Sequence, residues 1–164
     1  QNISSSIWER LLSIPRLEDR TFSNKNYVIA VENLEPEIEE WNNLKKYEEI
    51  LTSHPELRFV IDIQHAVRMS EKVGSSYLDD LLALTKERIV GYHVSSFPPD
   101  SNLHVMLHDY PNVQIEEFLQ KCYKKKQAPI VLEGEPVDVS SSTGIIKNYE
   151  KEVKYIRNLL SSKN

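Results

Sequence analysis

The chain reads as an α/β fold with parallel strands, about four β–α units preceded by one helix. Two observations predict it. Four short apolar runs rich in Val and Ile are nearly continuous rather than alternating, as in strands of a parallel sheet covered on both faces. Longer amphipathic stretches separate them, and strand–helix alternation is the pattern of parallel α/β folds. The runs are 27–32 (YVIAVE), 58–62 (RFVID), 89–93 (IVGYH) and 129–133 (PIVLE). At 164 residues the chain is of single-domain size, 1–164, long enough to bury a core.

The helices follow from spacing. Ile7, Leu11 and Leu12 mark a first helix that stops near Pro15. Ile38, Trp41, Leu44, Tyr47 and Leu51 mark the next, with Pro36 suited to its first turn. Leu78, Leu81 and Leu82 follow, with Ser75 or Ser76 as N-cap. Ile115, Phe118, Leu119 and Cys122 mark another, and Ile145, Ile146, Tyr149, Val153, Ile156, Leu159 and Leu160 form the clearest stripe. The units share no sequence, so this is no solenoid array. Two long loops, 95–112 and 134–144, follow strands at their C-terminal ends, where α/β folds place function.

Each run ends in a side chain able to bind a metal or move a proton: Glu32, Asp62, His93 and Glu133. One carboxylate after a strand is ordinarily a helix cap or a surface acid. Four successive strands ending so is different, because parallel neighbours lie about 4.8 Å apart and their ends converge on one rim. Three carboxylates there repel unless a cation sits between them. One imidazole with three carboxylates suits one divalent ion, and the oxygen-rich set favours Mn²⁺ or Mg²⁺ over Zn²⁺. His65, just past the second strand, stands to bind a second metal, orient substrate or simply cap a helix. His104 and His108 lie in the first long loop, one expected to face the site and the other solvent. His54, before Pro55, belongs to the opposite end.

Other features are plainer. Lys124-Lys125-Lys126 ends a helix, where cations complement the macrodipole. Ser140-Ser141-Ser142 forms no nucleophile elbow, and Gly144 alone makes no phosphate loop. Cys122 sits on an apolar helix face. A single cysteine excludes an internal disulfide framework and fits a reducing compartment, so a cytoplasmic location is expected. Net charge of −5 shows no global basic signature of a nucleic-acid binder. No apolar run approaches a membrane span and no signal peptide is visible.

The succession ENLE (Glu32), DIQH (Asp62, His65), YHVS (His93), LHVMLHDYP and VLEGE (Glu133) resembles the xylose isomerase-like TIM-barrel superfamily, from about Tyr27 to Leu160. That group holds sugar isomerases and epimerases as well as endonuclease IV-like abasic-site endonucleases. The resemblance implies one Mn²⁺-like ion on Glu32, Asp62, His93 and Glu133. It also implies that Glu32 and Glu133 shuttle a proton at a sugar carbon, through an enediolate. Its endonuclease branch implies up to three Zn²⁺, with Asp62, His65 and either His104 or His108 joining in. Asn102 and Met106 stand where that branch has an acidic residue, Ser95 or Ser96 replaces its aspartate, and its glycine-rich stretch is absent. The metal-dependent isomerase or epimerase is therefore the expected enzyme, with a small sugar-like substrate, and abasic-site DNA hydrolysis the alternative. A non-catalytic half-barrel module is the third reading.

A full barrel of this type has eight strands and typically about 250 residues. This chain offers four, matching the family's second half, and a half barrel leaves two parallel edges to cover. Because the sequence starts at Gln1 rather than Met, a missing N-terminal half is expected, or else a homodimer that closes the barrel.

Overall fold

The computed structural model describes residues 29–34, 43–99, 101–136 and 141–162. The expected helix around Ile7, the beginning of the first strand, and Pro36, Ile38 and Trp41 of the second helix lie outside them. In chain order the elements are β1 (Ala30–Glu32), α1 (Leu44–Ser53), β2 (Arg58–Asp62), α2 (Ile63–Val73), α3 (Ser76–Thr85), β3 (Ile89–Val94), α4 (Val113–Lys125), β4 (Ile130–Leu132) and α5 (Ser142–Ser161). The four strands form one all-parallel sheet in the order β1-β2-β3-β4.

Helix starts follow side-chain capping. Asn43, Asn112 and Ser141 each accept a backbone N–H of the first turn of α1, α4 and α5. Ser75 precedes α3 as expected, but its hydroxyl makes no capping bond. Helix α2 was not legible from spacing. Its buried residues include Gln64, His65 and Ser70 beside Ile63, Ala66, Val67 and Met69, so polar residues break the apolar stripe. It ends at Gly74, whose φ of 114° suits a residue without a Cβ.

The sheet buries one face. Phe59, Ile61, Tyr92 and Val94 are 0% exposed and pack among Tyr47, Ala66, Leu81, Ile115, Leu119 and Cys122 on the helices. Cys122 is core, as its helix face suggested, and burial pushes its thiol up to about 12. Tyr92 donates its hydroxyl to the carbonyls of Cys122 and Lys126, tying β3 to the end of α4. Coverage of both faces, the expectation from continuous apolar runs, holds in part among the described residues: on the second face Asp62 is 1% exposed, but at β4 that face lies open and Val131 is 49% exposed. Neighbours in register share a face, and Val131 pairs with His93, which pairs with Asp62. The open face is thus the face that carries the candidate site.

No helix among the described residues is long and apolar enough to cross a membrane.

Candidate metal centre

Strand alternation places the four strand-end residues on one face. Asp62 lies two residues beyond Val60, Glu32 pairs with Val60, His93 pairs with Asp62, and Glu133 lies two beyond Val131. An irregularity makes this possible. Phe59 pairs with Ile89 while Val60 pairs with Gly91, so Val90 is an extra residue in β3. Without that bulge Tyr92 would face the rim and His93 the helices. One added residue re-aims the imidazole, as bulges beside functional sites do.

The ligand atoms of Glu32, Asp62, His93 and Glu133 lie within 4.8 Å of one another. His93 Nδ1 is 2.8 Å from both Glu32 Oε1, reaching across β2, and Glu133 Oε1. A second group, Asp62, His65 and His104, meets the same limit and shares Asp62. The carboxyl of Asp62 is 1% exposed; its Oδ1 accepts the His65 N–H at 2.8 Å, but its buried Oδ2 has no hydrogen-bond partner. Burial, helped by the Glu32 and Glu133 charges, pushes this carboxyl up to about 8, against the His65 N–H and the His93 ring that favour its anion. A cation between the carboxylates removes that cost, so the residues present fit a divalent metal.

Neighbouring groups orient the ligands. Asn33, fully buried, brackets Asp62 by donating to its carbonyl at 2.8 Å and accepting its N–H at 2.9 Å. The Asn33 carbonyl lies 3.2 Å from His65 Nδ1 and can only accept, so in the neutral ring Nδ1 carries the proton. The Ser95 hydroxyl gives its hydrogen to Gln64 Oε1 at 2.5 Å and so accepts from His104 Nδ1 at 3.1 Å. In both rings this leaves Nε2 with the lone pair a metal needs. The His65 and His104 rings stand edge to face, centroids 5.2 Å apart.

Of the two loop histidines, His104 joins the site. His108 does not face solvent in its stead: its Nδ1 is 2.7 Å from Glu152 of α5, and its ring is 12% exposed. His54 sits in the turn before β2, 3.4 Å from Glu56, at the other end of the sheet. Asn33, Gln64 and Glu152 escaped the sequence reading as site residues, and Ser95 entered it only as a replacement for an aspartate. Only Asn33 left a signal there, a buried-type amide directly after a strand-ending acid.

A cleft of about 810 Å³ opens beside the centre, lined by Pro98, Asn102, Leu103, His104, Tyr110, Glu133, Glu135 and Pro136 among others. That is ordinary size for a small-molecule site. Between two of its lining residues, Glu133 and Glu135, Gly134 packs against the segment that follows His104. A Cβ there would stand 2.5 Å from the Val105 carbonyl oxygen and 2.7 Å from Met106 Cα, both backbone atoms. Gly134→Ala is accordingly expected to cost about 2–3 kcal/mol in urea unfolding and to weaken metal binding, by pushing the His104 segment away from β4. An unchanged unfolding midpoint would show that the contact yields freely.

No protein-family model matches the chain, and comparison with characterised proteins and with solved structures yields no significant match.

Proposed function

We propose that the protein is a divalent-metal-dependent isomerase or epimerase of a small sugar-like substrate, working by proton transfer at a carbon beside a carbonyl. The observation that carries the reading is the convergence of Glu32, Asp62, His93 and Glu133 within 4.8 Å on one sheet rim, opening on the 810 Å³ cleft. The four residues would hold one ion, Mn²⁺ or Mg²⁺ by their oxygen-rich chemistry. Such an ion polarises a carbonyl and steadies developing negative charge when bound. Glu32 and Glu133 are each about a third exposed, Glu133 lining the cleft and Glu32 meeting the same His93 nitrogen, so these two hold and return the proton. The cleft wall supports a neutral substrate: among its described lining residues there are Glu133 and Glu135 but no Lys or Arg to meet a phosphate.

The reading includes a half (β/α)₈ barrel, completed by a second copy or by an N-terminal half. Alternate residues of a parallel strand turn their N–H and C=O to opposite edges. The Val94 carbonyl accepts from Glu133 and Tyr92 donates to Pro129, so Ile130 and Leu132 turn theirs away from β3. No described strand pairs with that edge, and the exposed Val131 beside it is suited to the interior of a closed barrel. With its lone cysteine buried and reduced, a cytoplasmic setting fits the chain.

The test is deuterium incorporation. Mn²⁺-loaded protein incubated with simple ketoses and aldoses in D₂O is expected to exchange a hydrogen next to the carbonyl, and Glu133→Gln to lose this by at least about a hundredfold. Exchange that survives Glu133→Gln undamaged would sink the role of that residue.

A second reading has its own support. The Asp62–His65–His104 group adds a second place for a metal, as a polynuclear phosphodiesterase requires. Cleavage of an abasic-site duplex with Zn²⁺ present, and no exchange into sugars, would select it.

A further inference from the structure

We infer that Glu152, far along the chain in α5, is a positioning residue for the metal centre, because it clamps the segment that carries His104. The inference rests on the proposed reading of His104 as a site residue. The apolar stripe of α5 leads to Ile156 in the core, yet Ile146 is 61% and Tyr149 36% exposed, while Glu152 is 1% exposed. An acid thus occupies a core position where the helix pattern calls for an apolar side chain. Burying a carboxylate is costly unless donors replace its water.

Three donors do so, and all come from one short segment. Oε1 accepts the Leu107 N–H at 2.8 Å; Oε2 accepts the His108 N–H at 2.9 Å and lies 2.7 Å from His108 Nδ1. Hydrogen bonds to a charged acceptor are roughly twice as strong as neutral ones. The N-terminal half of the segment is held otherwise. Val105 exchanges both backbone hydrogen bonds with Ser96, and the His104 carbonyl accepts from Glu135. Between the two anchors Met106 and Leu107 are fully buried, and the Met106 carbonyl accepts the N–H groups of Asp109 and Tyr110. Residues 104–108 are therefore gripped at one end by the strand tips and at the other by Glu152. That fixes where the His104 ring meets Ser95 Oγ and stands over His65.

In Glu152→Gln one carboxylate oxygen becomes an NH₂ donor, so the Leu107 and His108 N–H groups are left with a single neutral acceptor between them. The turn then shifts to find another acceptor, since a buried donor left without one is costly. His104, three residues upstream of Leu107, turns with it. Glu152 bonds to Leu107 and His108 and is not among the described residues that line the cleft, so its influence on the centre runs through this segment.

The experiment compares wild type with Glu152→Gln by NMR of the five histidine rings, first metal-free and then during Co²⁺ titration. Single His→Gln variants assign the peaks. The expected result is that Glu152→Gln moves the His108 peak, splits or broadens that of His104, and leaves His54 in place. The Co²⁺-dependent shift of His104 should then need about tenfold more cobalt, or greater, in line with lost ligand support. Should Glu152→Gln not fold, Glu152→Asp carries the same readout: it keeps the charge but is one methylene too short for all three donors. An unaltered His104 peak and cobalt response in either folded variant would overturn the inference. If wild-type His104 and His93 ignore Co²⁺ altogether, the metal reading fails instead, and the metal-free His104 peak still decides the role of Glu152.

Discussion

Replacing Glu32 by Gln is expected to lower the affinity for Mn²⁺ by at least about a hundredfold and to remove the proposed proton transfer with it, since losing even a supporting group of a ligand costs 10–100-fold. The reasoning is electrostatic. Glu32 and Glu133 both approach His93 Nδ1 at 2.8 Å, and with the Asp62 anion formed on binding they would supply the negative charge that holds a divalent ion. A neutral amide keeps the shape and an oxygen donor but removes a full charge from a partly desolvated rim. Glu32 is about a third exposed, so the fold survives. Calorimetric titration with Mn²⁺ on wild type and Glu32→Gln measures the difference; equal dissociation constants would remove Glu32 from the centre.

The second large effect is the response of stability to pH and metal. Asp62, held at about 8 in the metal-free fold, has an ordinary value near about 4 in an unfolded chain. A raised value means the folded state binds the extra proton between these limits. Its contribution is therefore full below about pH 4 and is lost as pH rises through 8. Metal-free protein is expected to melt several degrees lower at pH 8 than at pH 6. Bound metal needs the anion of Asp62, so the order reverses: Mn²⁺ at a hundredfold excess over its dissociation constant adds about 2.7 kcal/mol, and does so best at pH 8. Binding at pH 7 should also release close to one proton, visible as a buffer-dependent heat. Asp62→Asn should flatten both responses, and a metal-free melting point that rises from pH 6 to pH 8 would contradict the protonated Asp62.

The strand tips were the legible part of this protein. A carboxylate or imidazole closing each apolar run is a local signal, and parallel pairing brings such ends to one rim whatever the intervening helices do. The parallel α/β order was legible for the same reason. Helix α2 was not, because its inner face carries Gln64 and His65, which serve the site, and Ser70, whose hydroxyl bonds back to the Val67 carbonyl of the same helix. The bulge at Val90 has no sequence signature, although it decides that His93 rather than Tyr92 faces Asp62. The choice between His104 and His108 was settled by Glu152, 44 residues beyond His108, through a contact no local spacing encodes. The open sheet face at Val131 was likewise hidden, since a strand waiting for a cover and a strand already covered have the same apolar composition.

The central claim is that the four strand tips form one divalent-cation site. Anomalous scattering from crystals grown with Mn²⁺, recorded on both sides of the manganese edge, tests it most directly. The account predicts a peak among Glu32, Asp62, His93 and Glu133, with any further peak confined to the Asp62–His65–His104 group. No peak at the four strand tips under saturating Mn²⁺, or manganese bound only elsewhere on the surface, would contradict it.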